Sequence, residues 1–215
     1  MLPSHLECSR DSTHRVSAQE LATVCPHEGA PLLVRYAAET LAREAVAARL
    51  WTMWRYREML PIGENEAPVS LGEGATPLLE LPRLAGDLRV ERLYVKDESQ
   101  NPTLSFKARG MSVAVTVAKR LGAASLVAPS AGNAGGALSA YGARAGLAVR
   151  VYVPRDTPPL LLEEMHGYGA DVVLVDGLID DAGRLAAEYA RESGAFNVAT
   201  FREPYRVEGK KTMAY

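Results

Sequence analysis

Cysteine is scarce in this chain: two residues in 215. Two cysteines cannot build a disulfide framework, and a reducing cytoplasm is the expected compartment. An excess of charge of one sign is missing as well. The 24 basic and 26 acidic residues leave a net charge of −2. No basic surplus points to nucleic acid or to an anionic membrane, and neither is expected as a partner. Long apolar runs are absent, so no membrane-spanning helix is expected. The opening residues show no basic segment followed by an apolar stretch, so no signal peptide is expected either. The composition is otherwise that of an ordinary globular chain, 47% apolar and 23% charged. A chain of this length has room for one domain or two small ones, and folding should bury roughly 70% of its unfolded surface.

The patterning divides the chain into an N-terminal segment (1–36), a helix and linker (37–70) and a longer α/β region (71–215). The first segment carries Cys8, Cys25 and His27 and ends in a strand-like run from Pro31 to Tyr36. Residues 38–60 have helical apolar spacing with no Gly or Pro, until Pro61 and Gly63 stop them. Trp51 and Trp54 on this helix read as core or dimer contacts. Residues 61–77 form a Gly/Pro-rich loop. Beyond it, strands at 92–96, 125–128, 149–153, 171–175 and 196–199 alternate with helices at 106–121, 135–145, 158–166 and 179–192. Short strands separated by helices of about ten residues imply right-handed crossovers. The expected fold class is therefore α/β: an open, mostly parallel sheet with helices on both faces in three layers.

Ligands in open α/β sheets bind beyond the C-terminal ends of strands. Two loops there have unusual chemistry. The first, residues 101–110, places Lys107 at a helix start between Phe106 and Ala108. The helix macrodipole and partial desolvation both lower an amine's pKa at such a position, and a neutral amine is what Schiff-base chemistry needs. A solvated surface lysine is the alternative. The second loop, Pro129 to Gly136, offers backbone N–H groups at a helix N-terminus with almost no side-chain bulk, which suits a carboxylate or phosphate. Asn133 adds an amide donor. A tight strand-to-helix turn with glycines kept for packing is the alternative there.

Together and in this order, Ser105-Phe-Lys-Ala-Arg-Gly110 and Ser130-Ala-Gly-Asn-Ala-Gly-Gly136 resemble the pyridoxal-phosphate enzymes of the tryptophan synthase β-subunit fold. Within that group the pattern is most similar to the threonine synthases. Residues 50–60, 70–78, 94–98, 101–103 and 203–212 support the resemblance, which runs in order along the chain. It implies pyridoxal 5'-phosphate as cofactor, held by Lys107, with Asn133 bonded to its ring oxygen and Phe106 packed beside the ring. Ser130, Ala131, Gly132 and Asn133 would cradle the carboxylate of a small amino-acid substrate, with Ser105 close by. The implied reaction converts O-phospho-L-homoserine and water to L-threonine and phosphate, with Lys107 moving the protons. Homodimers are common in the family. A threonine/serine dehydratase or other β-replacement enzyme of the same fold is the second reading, and a truncated non-catalytic chain is the third. Family members normally continue further and carry a later Gly-rich loop for the cofactor phosphate; none follows Gly136 here. The 215-residue chain alone is therefore expected to bind the cofactor weakly or not at all.

The chain departs from its relatives in three places. Leu104 stands where Gly is frequent, and Gly alone tolerates a left-handed backbone without cost. Ala108 stands where Asp is frequent. The N-terminal segment resembles a zinc ribbon with half its thiolates missing. Cys8-x-x-Asp11 and Cys25-x-x-Glu28 replace two Cys-x-x-Cys pairs, and Asp11, His27 or Glu28 complete only a poor zinc set. No metal is expected, and Cys8 and Cys25 read as small buried hydrophobes. Glu208-Gly-Lys-Lys-Thr212 fails as a phosphate-binding Walker loop and reads as a helix start. Asp176, Asp180 and Asp181 read as a solvated loop and helix N-terminus.

Overall fold

The computed structural model describes residues 2–37 and 41–215. Three short antiparallel strands open the chain, β1 (His5–Cys8), β2 (Arg15–Val16) and β3 (Leu32–Arg35), with β1 in the middle. β3 alternates as a half-buried strand must, Leu32 and Val34 inward and Leu33 and Arg35 outward. Leu6, Cys8, Cys25, Leu32 and Val34 join the same apolar core as the main α/β region.

The helix expected over 38–60 is broken. Residues 38–40 lie outside the described residues. Beyond them the chain forms a five-residue helix, α1 (Arg43–Ala47), and then a 3-10 segment (Met53–Met59) entered through an extended Thr52. The cause is tertiary. The Met53 N–H donates to the Glu73 carbonyl, and Gly74 lies so close that a Cβ there would sit 2.9 Å from Met53 Cα. A continuous helix cannot make that backbone contact. Trp51 is 70% exposed with the Arg55 guanidinium over its ring, so it is no core residue, whereas Trp54 packs against the core.

The Gly/Pro-rich stretch leads into β4 (Leu78–Glu80), which pairs antiparallel with β5 (Tyr94–Lys96) around α2 (Pro82–Leu88). The strand expected at 92–96 thus forms, but in a separate two-stranded sheet.

The remainder keeps the expected alternation: α3 (Lys107–Arg120), β6 (Ser125–Pro129), α4 (Asn133–Ala145), β7 (Ala148–Pro154), α5 (Pro159–Gly167), β8 (Asp171–Val175), α6 (Ile179–Ser193), β9 (Phe196–Asn197) and α7 (Tyr205–Lys211). Gly146 and Gly194, both left-handed, close α4 and α6. The sheet is wholly parallel in the order β8-β7-β6-β9. α6 covers one face through Val127, Tyr152, Val175, Ala182 and Ala186. α4 and α5 cover the other, with α3 packed on α4. This is the three-layer α/β arrangement. Asp176 pairs with Arg155, and Asp181 caps the Leu178 N–H ahead of α6, as a solvated loop and helix start do. The 208–212 segment is the second half of α7, with Thr212 at its C-cap, rather than a helix start.

Two features of this topology place the site. β6, β7 and β8 step outward in one direction, whereas β9 returns to the other side of β6. The crevice beyond β6 and β9 is therefore the topological switch point. α7, which comes after β9, packs tightly across α3: a Cβ on Gly110 would lie 2.9 Å from the Arg206 carbonyl oxygen. Among the described residues no helix is long and apolar enough to cross a membrane.

Candidate active site

Lys107 is the first residue of α3, and Phe106 precedes it as the N-cap. Its amine lies 4.1 Å from the Phe106 ring centroid. Partial burial pulls the amine below the ordinary lysine range, and the Arg206 guanidinium pulls it further. Ser105 is buried, and its hydroxyl accepts the Lys107 backbone N–H at 3.3 Å, so it fixes the start of α3. The turn before it, Pro102–Leu104, packs against α4 and brings the lysine loop to the second loop. Leu104 holds the left-handed backbone that Gly adopts freely: its φ is +51°, next to +58° at Thr103. Leucine holds that backbone at a conformational cost that glycine would not meet.

In the second loop Ser130 is buried, and its hydroxyl accepts the Gly132 and Gly135 N–H groups at 3.2 and 2.8 Å. It braces the turn from inside. Ala131 and Asn133 are exposed and Gly132 half-buried. Among the described residues the N–H groups of Ala131, Asn133 and Ala134 have no partner. These are the orphan donors of a helix N-terminus, open to an anion. The glycine run serves two purposes. A Cβ on Gly135 would lie 2.5 Å from Met165 Cε, and Gly136 faces the Glu164 carboxylate, so both are small for α5 to pack. Gly132 is uncrowded, its nearest neighbour being Leu161 Cδ1 at 3.8 Å. The packing alternative therefore accounts for Gly135 and Gly136 but not for the open turn.

Several residues to which the sequence analysis assigns no role support this pair of loops. Lys210 Nζ lies 5.9 Å from the Phe106 ring centroid, on the same side chain as Lys107. Burial, then Arg206, then Lys107 lower its pKa. Glu203 is almost fully buried and accepts the Tyr205 N–H at 2.7 Å and the Arg206 N–H at 3.2 Å. Its carboxyl is pushed up to about 7 by burial, against the opposing pull of Arg206 and those N–H groups. Arg109, 2% exposed, binds Glu98 through two nitrogens at 2.6 and 2.8 Å and also reaches Thr76 and Thr212. It locks the first turn of α3 to the preceding loops and to α7. Glu73, wholly buried, accepts from Trp54, Ser112, Tyr141 and the Leu71 N–H, tying the 70–77 loop to α3 and α4. The signal for Glu73, Glu203 and Lys210 was their place inside segments 70–78 and 203–212, and for Arg109 its place in the 105–110 motif, but charge pattern alone does not separate a buried carboxylate from a surface one.

The candidate metal ligands fall into two groups. Asp11 is turned onto the Thr13 hydroxyl and N–H. Cys8 and Cys25, both buried and free, instead share a cluster with His14, which the Cys-x-x spacing did not point to.

Pyridoxal phosphate needs an amine that loses its proton readily, donors for negative charge and a flat neighbour. Lys107, the open N-terminus of α4 with the exposed Asn133, and Phe106 fit those needs. Among the described residues no carboxylate competes for the Lys107 amine.

Comparison with known proteins agrees with this fit. Residues 69–215 match the model of the pyridoxal-phosphate dependent enzymes. The threonine synthase of Methanocaldococcus jannaschii is 39% identical over 178 residues, 82% of this chain and 44% of that protein. The threonine synthase of Methanosarcina acetivorans is 34% identical over 213 residues, 98% of this chain and 52% of that protein. The chain thus spans about half the length of the curated relatives it matches. Among solved structures, threonine deaminase isoform 2 from Solanum lycopersicum is 26% identical with a TM-score of 0.57, over 64% of this chain and 40% of that one. Diaminopropionate ammonia lyase from Escherichia coli, 21% identical over 68% of this chain and 44% of that one, shares the fold at a TM-score of 0.62. The chain belongs to the pyridoxal-phosphate dependent enzymes, and pyridoxal 5'-phosphate is its cofactor.

Proposed function

We propose that this chain serves a threonine synthase reaction, the conversion of O-phospho-L-homoserine and water to L-threonine and phosphate. The curated relatives of 34–39% identity carry that name. The observation that carries the reading for this chain is local. A half-buried amine opens α3, the turn before it packs against α4, and the N-terminus of α4 carries open N–H groups beside the switch point of the sheet. Pyridoxal phosphate, when bound, supplies an electron sink for charge developing on an amino-acid carbon. The chain's own residues do the rest. Lys107 holds the cofactor through its amine and moves protons between substrate carbons, helped by a pKa lowered toward working pH. The open N–H groups of Ala131, Asn133 and Ala134 hold the substrate carboxylate, with Gly132 and Ser130 shaping the turn. Asn133 donates its amide to the cofactor's ring oxygen, and Phe106 packs beside the ring. Ser105 and Ser130 act by holding the two loops in shape. In this reading residues 71–215 are the N-terminal part of the catalytic region, 1–36 an appended ribbon and 37–70 the helix and linker between them. The protein acts in the cytoplasm as a homodimer, without nucleic acid.

The test is borohydride fixation of pyridoxal phosphate on the purified chain, then peptide mapping. A stoichiometric adduct on Lys107 supports the assignment, and an adduct on another lysine overturns it. For the reaction, phosphate release from O-phosphohomoserine should exceed ammonia release from threonine. The likeness to threonine deaminase makes the reverse outcome meaningful: it would move the chain to the dehydratases.

A further inference from the structure

We propose that Cys8, His14 and Cys25 bind a zinc ion, forming a metal site in the N-terminal ribbon built from residues other than those assigned to the cofactor. The donor atoms of the three residues lie within 4.8 Å of one another. Ligands at roughly 2.0–2.3 Å from zinc stand about 3.3–3.8 Å apart in a tetrahedral set, so the donors need draw in by only about 1 Å. Both thiols are free, 2% and 1% exposed, and no disulfide joins them. Nδ1 of His14 is buried with no hydrogen-bond partner. A buried, unpartnered imidazole nitrogen facing two thiols is costly unless something fills the space between them. Zinc does so, displacing the two thiol protons.

The backbone is shaped for it. Each cysteine opens a tight reverse turn. The Cys8 N–H donates to the His14 carbonyl at 3.0 Å, and the His14 N–H to the Asp11 carbonyl at 3.1 Å. Opposite, the Cys25 N–H donates to the Ala30 carbonyl and the Gly29 N–H to the Cys25 carbonyl, both at 2.8 Å, with Gly29 left-handed at φ +60°. The His14 ring is steadied on its far side, with Nε2 3.8 Å from the Asp11 carboxylate. A carboxylate near the outer nitrogen of an imidazole raises its basicity as a metal ligand. One tetrahedral position remains for water or another donor; the His27 ring packs on the His14 ring with centroids 4.4 Å apart. Two thiolates with one or two imidazoles select zinc over the harder divalent ions.

The experiment uses the whole reduced chain, stripped with a chelator, dialysed and titrated with cobalt(II), then zinc(II). The expected result is one cobalt per chain, a thiolate-to-cobalt charge-transfer band with the visible bands of a tetrahedral ion, and displacement by one equivalent of zinc. Cys8→Ser together with Cys25→Ser abolishes the band. His14→Ala weakens binding by more than the roughly 10–100-fold that loss of a hydrogen-bond partner behind a ligand costs. Because the cysteine variants can leave the ribbon unfolded, the unmodified chain gives an independent readout. Zinc protects both thiols from alkylation and raises the melting temperature, and chelator reverses both. The site is refuted by a folded wild-type chain that shows no stoichiometric cobalt band, by a band that survives both serine substitutions, or by thiols alkylated equally with and without zinc. None of these readouts depends on pyridoxal phosphate, so the result stands apart from the assignment of Lys107.

Discussion

Gly209 in α7 rests directly on the backbone of Arg109 in α3: a Cβ at 209 would lie 2.6 Å from the Arg109 carbonyl carbon and 2.9 Å from Gly110 Cα. Backbone against backbone leaves nothing flexible to yield. The crossing sets how far α7, with Arg206 and Lys210, stands from Lys107. Gly209→Ala should destabilise the fold by about 2–3 kcal/mol, as overpacking does. Gly86→Ala in α2, where nothing lies within 4 Å, should be neutral or stabilising by up to about 1 kcal/mol. Urea midpoints for the two variants test the contrast, and equal effects would mean that the crossing is not tight.

Leu104 gives a second test of backbone cost. Its φ of +51° is left-handed, and its side chain is 79% exposed, so little packing is lost on removing it. Leu104→Gly should therefore stabilise the chain by about 1 kcal/mol, the penalty an L-residue meets there. Leu104→Ala, which keeps the Cβ, should gain nothing. Thermal melts of both variants decide it, and an alanine variant as stable as the glycine one would place the cost elsewhere.

Leu104 also shows how far the sequence could be read. The parallel sheet was legible because each strand from 125 to 199 is short, apolar and separated from the next by a helix ending in Gly. Lys107 and the 130–136 loop were legible because residue type and order coincide. The break at Thr52 was not, since it comes from Met53 bonding a residue twenty positions later, which no helical period encodes. Nor was the grouping of His14 with Cys8 and Cys25, because a β-turn, and not a Cys-x-x-Cys spacing, delivers it. Left-handed φ at a Leu was legible only as a question, because sequence shows the residue and not the backbone it is forced to adopt.

The Arg109–Glu98 pair should dominate acid sensitivity. Burial raises the Glu98 carboxyl, but Arg109, Thr76 and Asn101 more than offset it, and its native pKa lies below the ordinary value of 4.5. Between those two values the unfolded chain binds more protons, so stability rises with pH there. The contribution is complete above the unfolded pKa and is lost as pH falls through the native one. Glu98→Gln should flatten the fall in melting temperature on acidification below about pH 5. Arg109→Met, which leaves the half-buried Glu98 carboxylate without its charge partner and empties a buried site, should cost about 3 kcal/mol at neutral pH. A Glu98→Gln melt with the wild-type acid slope would show that other carboxylates carry it.

The two amines beside Phe106 should titrate as neighbours. Burial and then Arg206 lower the Lys107 pKa, and burial, Arg206 and then Lys107 lower that of Lys210. A depressed pKa means that the neutral, nucleophilic amine is present at lower pH than in an exposed lysine. Competitive acetylation read by peptide mass spectrometry should therefore label Lys107 and Lys210 ahead of the other lysines near neutral pH. Removing one positive charge relieves the other, so Lys107→Met should move the Lys210 midpoint upward. Arg206→Gln should move both upward, with circular dichroism confirming that the variant, which loses a bond to the Val198 carbonyl, still folds. If Lys107 labels no earlier than the remaining lysines, its environment does not lower its pKa, and the α3 start loses the property that suits it to hold the cofactor.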